Sequence, residues 1–209
     1  MDWLTERYQD HVRAKLARQP PEFPLAPKRS DYDLNPDLRR DPARALRPAA
    51  VLVPIVARPE PAVLFTLRTR NLPSHAGQIS FPGGRHRPDD RNLVATALRE
   101  TEEETGIGSD FVDVAGFLDV HETAASGYAI LPVVGFVRAG FALTPDMAEV
   151  EEIFEVPLSF LVDPANRQRH SLEREGRARH FYAIPYKRHY IWGATAAMLV
   201  DLSEKLLAR

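Results

Sequence analysis

Cysteine is absent from the 209 residues. That excludes disulfides, thiolate nucleophiles and zinc–thiolate centres, and it fits a reducing cytoplasm. An excess of charge of either sign is also missing. The formal net charge is −2, so nothing steers the whole chain toward nucleic acid or an anionic membrane. No uninterrupted apolar run reaches membrane-spanning length, and the N-terminus lacks the apolar region of a signal peptide. The last residues, Leu207-Ala208-Arg209, are not a peroxisomal address. A soluble, cytoplasmic protein is the expectation. Several chemistries drop out as well. No Ser/His/Asp order suggests itself, and the P-loop ending and the dinucleotide-binding glycine fingerprint are missing. His121-Glu122 lacks the second histidine of a zinc protease helix.

What is present is concentrated in one stretch, Phe81 to Ile107, reading FPGGRHRPDDRNLVATALRETEEETGI. Two glycines end an apolar run, a polar loop follows, and a helix then places four glutamates within Glu100 to Glu104 before Gly106 stops it. Val94, Leu98, Thr101 and Thr105 recur at helical spacing and predict a packing side. Glu100, Glu103 and Glu104, at i, i+3 and i+4, are predicted to lie nearly opposite. A solvated face laced with ion pairs is the plain alternative. Acidic groups near a helix C-terminus oppose the macrodipole, however, and like charges at i,i+4 repel. Arg99 is the only base expected within a turn, and it cannot neutralise four acids. A helix that holds hard cations accounts for the pattern better. Mg²⁺ takes carboxylate and water oxygens and shares its shell with substrate phosphate.

Arg99-Glu100-Thr101-Glu102-Glu103-Glu104-Thr105-Gly106-Ile107 resembles the second half of the Nudix box, G-x5-E-x7-R-E-U-x-E-E-x-G-U, where U is bulky and apolar. Thr101 replaces the usual apolar residue, and the loop after Gly84 is one residue longer. The first-half glutamate is missing: Asp90 lies six residues after Gly84, and Arg91 occupies the other register. That half of the box supports the loop more than it binds metal. Upstream, Leu64-Phe65-Thr66-Leu67-Arg68-Thr69-Arg70 and His75-Ala76-Gly77-Gln78-Ile79-Ser80-Phe81-Pro82-Gly83-Gly84 are similar to the signature that precedes the box in coenzyme A diphosphatases.

The resemblance implies Mg²⁺- or Mn²⁺-dependent hydrolysis of the diphosphate linkage of coenzyme A or its acyl derivatives, giving 3′,5′-ADP and 4′-phosphopantetheine. Glu100, Glu103 and Glu104 are the expected metal ligands. Arg99 is expected to orient Glu103 or the loop, and Gly83 and Gly84 to allow close backbone approach to metal or phosphate. Glu104 is one candidate general base, with Glu122, Glu149, Glu151 and Glu152 as alternatives. Arg68, Arg70, His75 and Arg85 are candidate contacts for phosphate or adenosine, each with an ordinary surface role as the alternative; Lys187 and Arg188 are weaker ones. Two other readings stay open. One is a pyrophosphatase for ADP-ribose, dinucleotides or nucleotide sugars, and the other is a Nudix-like module that senses a nucleotide without cleaving it.

The length and the 44% hydrophobic content predict one domain with additions, and no internal repeat is found. Residues 1–48 read as an N-terminal helix, Asp2 to Ala17, and a proline-rich extended arm. The helix repeats Leu4, Tyr8, Val12 and Leu16, a stripe for the main body or a second subunit, so a homodimer is one expectation. From Gln19 to Pro48 the chain is expected to run extended across the surface, with Arg39, Arg40, Arg44 and Arg47 as a basic cluster. Residues 49–209 read as the Nudix-type domain. Strands are predicted at Ala49 to Ala57, Ala62 to Arg68, Gln78 to Phe81, Phe111 to Val120, Tyr128 to Arg138 and Val150 to Val156, with Pro54 marking an edge or a bulge. A catalytic helix spans roughly Arg91 to Thr105, and a short helix follows Pro157. His121 to Gly127 is expected to be a loop near the substrate. A hairpin, His180 to Ile184 and His189 to Trp192, leads into a closing helix with a Met198, Leu199, Leu202 and Leu206 stripe. Together these predict an α/β fold, an α/β/α sandwich around a mixed sheet, as the Nudix resemblance also implies.

Overall fold

The structure is a computed structural model that describes residues 7–39, 45–72, 75–174 and 176–208. Helix α1 is Tyr8–Lys15, and a short strand β1, Arg29–Ser30, follows in the arm. The central strands are β2 (Arg47–Val56), β3 (Ala62–Arg68), β4 (Ile79–Ser80) and β5 (Gly83–Arg85). Helix α2 is Leu93–Thr105. After it come β6 (Val112–Phe117), β7 (His121–Glu122), β8 (Tyr128–Val137), β9 (Val150–Pro157) and helix α3 (Leu158–Val162). The chain ends in β10 (Gln168–Arg174), β11 (Arg177–Tyr186), β12 (His189–Trp192) and helix α4 (Gly193–Leu207). Among the described residues no helix is long and apolar enough to cross a membrane.

Nine strands form one mixed sheet whose spine is the parallel pair β2 and β8, in register from Arg47↔Tyr128 to Val56↔Val137. Both faces of β2 are covered, so it reads as a near-continuous apolar run. Val53 and Ile55 pack with Tyr8 and Val12 of α1, Leu158 of α3, and Leu199 and Leu202 of α4. Ala50 and Leu52 face the other way, onto Leu93 and Ala97 of α2. The result is the expected α/β/α sandwich with a mixed sheet.

Four details differ from the sequence reading. Pro54 lies in a central strand. It falls between the segment of β2 that pairs with β5 and the segment that pairs with β3, where no neighbour on that side needs its missing N–H. The hairpin gains a third strand, β10, so the C-terminal sheet has the order β10-β11-β12. His121–Glu122 is a short strand rather than loop, and it pairs in parallel with β1 of the arm. The arm is also more than a surface strap, since Ser30, Tyr32 and Asn35 are buried. Of the predicted N-terminal stripe, Tyr8, Val12 and Leu16 enter the core, and Leu4 lies outside the described residues.

Candidate active site

The glycine loop is held against the central strand. β5 pairs antiparallel with β2 through Val51↔Gly83, Ala50↔Gly84 and Ala49↔Arg85. Gly83 has φ +155°, and a Cβ there would lie 2.5 Å from both Ala50 O and Val51 Cα, so only glycine fits. Gly84 has no such backbone demand. A Cβ on it would fall on the Glu100 carboxylate, 2.5 Å from Cδ. The first glycine shapes the turn, and the second leaves room for an acid.

That acid comes from α2, whose start is fixed by Asn92 accepting a hydrogen bond from Ala95 N at 2.9 Å. Its end is fixed by Gly106 at φ +79°. The packing side is rotated from the predicted one. Leu93, Thr96, Ala97, Thr101, Glu104 and Thr105 are buried, while Val94 and Leu98 are only partly covered. Thr101 fits where a bulky apolar residue was expected because its hydroxyl donates to Ala97 O at 2.7 Å. Thr105 does the same to Thr101 O at 2.6 Å.

The rotation separates the three acids. Glu104 is 4% exposed, and its Oε2 is buried without a hydrogen-bond partner among the described residues. Its Oε1 faces Arg68 Nη1 at 3.7 Å, and the other Arg68 nitrogen reaches Glu149 Oε2 at 3.5 Å. Burial pushes the Glu104 carboxyl up to about 8. Glu100 and Glu149 push the same way, against Arg68. Glu100 is mostly covered and accepts from Arg99 Nη1 at 2.7 Å. Glu103 is half exposed, held by Arg87 through two bonds of 3.1 Å and by Arg99 at 3.2 Å. Contrary to the expectation from the sequence, Arg99 is not the only base beside these acids: Arg87 comes from the preceding loop and Arg68 from β3.

Arg99 ties this loop to the helix. Its Nε and Nη2 donate to Asp90 at 2.8 and 3.0 Å, and Asp90 also accepts from Thr96 Oγ1 at 2.8 Å and Arg87 N at 3.0 Å. The guanidinium holds the Asp90 carboxyl well below the usual carboxylate range.

A cavity of about 600 Å³ opens over β5 and α2. Glu100, Glu104, Arg68, His75, Gly83, Gly84 and Arg85 all line it. Glu103, Arg99 and Arg70 do not, and Arg70 is exposed. Of the alternative bases only Glu149 lines it. Glu122 pairs with Arg39 at 3.6 Å, Glu152 with Arg188 at 2.5 Å, and Glu151 is exposed. Of the arm cluster, Arg39 pairs with Glu122 and Arg47 lies over the Tyr128 ring at 4.2 Å, while Arg40 and Arg44 fall outside the described residues. Tyr128, which lines the cavity, carried no signal of its own in the sequence.

A model of the NUDIX domain matches residues 46–173. An uncharacterized Nudix hydrolase, NudL, of Photorhabdus laumondii subsp. laumondii is 41% identical over 160 residues, 77% of this chain and 85% of that protein. The chain belongs to the Nudix family. The same name is carried by a Yersinia pestis (strain Pestoides F) protein, 41% identical over 77% of this chain and 80% of its own length. A MutT/nudix family protein from Enterococcus faecalis has been solved; it is 15% identical with a TM-score of 0.47, over 79% of this chain and 62% of that one.

This Nudix hydrolase can be tested for the divalent cation its family uses. Among the described residues no three His, Asp or Glu side chains are grouped closely enough to hold an ion unaided. Glu100 and Glu104, one turn apart, nevertheless fit a hard cation whose shell substrate oxygens complete. Both line the cavity, Glu104 presents an orphaned buried oxygen, and Gly84 leaves the Glu100 carboxylate its place.

Proposed function

We propose that this Nudix hydrolase cleaves the diphosphate linkage of coenzyme A or its acyl derivatives, with Mg²⁺ or Mn²⁺, to 3′,5′-ADP and (acyl-)4′-phosphopantetheine. The observation that carries the hydrolytic part is Glu104 Oε2, a buried acceptor at the wall of the cavity with no hydrogen-bond partner among the described residues. A buried carboxyl oxygen without a hydrogen-bond partner is costly unless something completes it, and Arg68 reaches only the other oxygen of Glu104.

Glu100 and Glu104 would hold the ion, and Glu103 joins them if it is released from Arg87. A bound divalent cation supplies charge neutralisation at the diphosphate and acidifies water for attack at phosphorus. The chain's own groups do the rest. Arg99, anchored on Asp90, orients Glu100. Arg68, between Glu104 and Glu149, keeps both carboxylates at the wall. Glu149 is the favoured acceptor for the proton of the attacking water, because it lines the cavity and shares Arg68 with Glu104. Arg85 has no carboxylate partner among the described residues and lies over Tyr128 at 5.6 Å, a cation left for substrate phosphate. The coenzyme A preference is supported by the upstream signature, of which Arg68, His75 and the two glycines line the cavity.

The test is incubation with Mg²⁺ or Mn²⁺ and a panel of coenzyme A, ADP-ribose, NADH and diadenosine polyphosphates, with product identification. Release of 3′,5′-ADP from coenzyme A supports the reading. Turnover confined to ADP-ribose, NADH or the diadenosine compounds keeps the hydrolase and removes the coenzyme A preference.

A further inference from the structure

The cavity extends beyond the acids, and its far end has different walls. One is the small C-terminal sheet. The register places Leu172 opposite Arg179 and Ala183 opposite Trp192, so Leu172, Arg179, Phe181 and Trp192 share one face. All four line the cavity, and Phe181 meets Trp192 edge-to-face at 5.3 Å. The other wall is the N-terminal arm, which contributes Tyr32 and Leu34.

The arm is fixed at both ends of this stretch. At one end β1 pairs with β7, and Asp31 accepts from His121 Nε2 and Ala124 N, each at 2.9 Å. At the other, β11 has an unfilled edge, because β12 covers only Ala183 to Tyr186. Asn35 fills it. Its Nδ2 donates to His180 O at 2.8 Å, and His180 N donates to Asn35 Oδ1 at 2.7 Å, the exchange of two bonds that a paired strand residue would make. Its second amide hydrogen goes to Asp31 O at 2.9 Å. The Asn35 amide is thereby used up on backbone, and beside the charged Arg179 and Asp33 these walls present Tyr32, Leu34, Leu172, Phe181 and Trp192. Leu172 remains 58% exposed although it lines the cavity, so the far end opens to water beside an uncovered aliphatic side chain.

We propose that the Asn35-pinned arm and the Leu172–Phe181–Trp192 face form a specificity subsite for an acyl chain on the substrate's non-nucleotide half, so that acyl thioesters of coenzyme A are preferred to the free thiol. This rests on the coenzyme A reading above. A second nucleobase would need partners for its polar edges, whereas a chain needs only area to cover. The open end sets no back wall, so the preference grows with chain length. Asn35 is a positioning residue, acting through the arm.

Steady-state kinetics of the full chain with Mg²⁺, using free coenzyme A, its acetyl and octanoyl thioesters and ADP-ribose, tests this. The expected result is a rise in kcat/KM of about tenfold or more from the free thiol to the octanoyl thioester, carried by KM. Leu172→Glu, a surface substitution that does not endanger folding, is expected to lower that ratio by about tenfold. Asn35→Ala is expected to lower it as well, raising KM more than it reduces kcat; should it fail to fold, Leu172→Glu decides. Hydrolysis of coenzyme A compounds with no dependence on chain length, or an unchanged ratio in Leu172→Glu, overturns the subsite alone. Turnover of ADP-ribose with none of any coenzyme A compound overturns both the subsite and the reading beneath it.

Discussion

Arg99 grips Asp90 through two hydrogen bonds, Nε to Oδ1 at 2.8 Å and Nη2 to Oδ2 at 3.0 Å, and spends its remaining nitrogen on Glu100 Oε1 at 2.7 Å. One guanidinium thus couples the loop after the glycines to an acid of the helix. Asp90→Asn weakens this link and is expected to cost about 2–3 kcal/mol of stability at neutral pH and to lower turnover through a displaced Glu100. The folded-state pKa of Asp90 is depressed, so its contribution is present above the ordinary aspartate value and is lost as pH falls below it. Urea unfolding at pH 7 and pH 3 checks this: the gap between wild type and variant should narrow in acid.

The two glycines are expected to fail differently. Gly83→Ala meets backbone on β2 and should lower Tm by several degrees. Gly84→Ala meets only the Glu100 carboxylate, so Tm should stay nearly unchanged while kcat drops by about tenfold or more. Thermal unfolding and steady-state kinetics on the same preparations separate the two effects.

Burial of Glu104 has a signature in the absence of metal. Its pKa stands at about 8 in the folded chain against an ordinary 4.5. The folded state keeps a proton that the unfolded chain gives up between those values, so stability declines as pH rises from about 4.5 to about 8 and then levels. Glu104→Gln cannot ionise and should remove that slope. Unfolding free energies in EDTA at pH 6 and pH 8.5 show whether it does.

Among the alternative bases, Glu149→Gln is expected to lower kcat by about a hundredfold or more. Glu122→Gln, Glu151→Gln and Glu152→Gln should stay within about threefold, because these acids lie away from the cavity or are paired elsewhere. A kcat series at saturating substrate and cation ranks the four.

Much of the sandwich was legible because its signals are local. Ala62 to Arg68 was read to the residue as β3, and the end of α2 was marked by Gly106. The errors come from long-range partners. Gln168–Arg174 (QRHSLER) has no apolar alternation and is a strand because β11 pairs with it. Pro54 looked like an edge because its strand neighbours, and the gap between them, come from elsewhere in the chain. The acids of α2 were recognised by spacing, but helical geometry alone could not show that Thr101 and Thr105 would satisfy their hydroxyls and rotate Glu104 into the interior. Nor could it supply Arg87, whose hold on Glu103 depends on the fold of a loop. Arg70 sat in the same motif as Arg68, yet the strand ends between them and only Arg68 lines the cavity.

The central claim is that Glu104 and Glu100 grip a divalent cation on a diphosphate, and turnover as a function of Mg²⁺ tests it most directly. Wild-type coenzyme A hydrolysis should vanish in EDTA and saturate as Mg²⁺ is restored, while Glu104→Gln, still folded, should lose orders of magnitude in kcat at every Mg²⁺ concentration. Near-normal turnover by that variant, or wild-type hydrolysis that persists in EDTA, would contradict it.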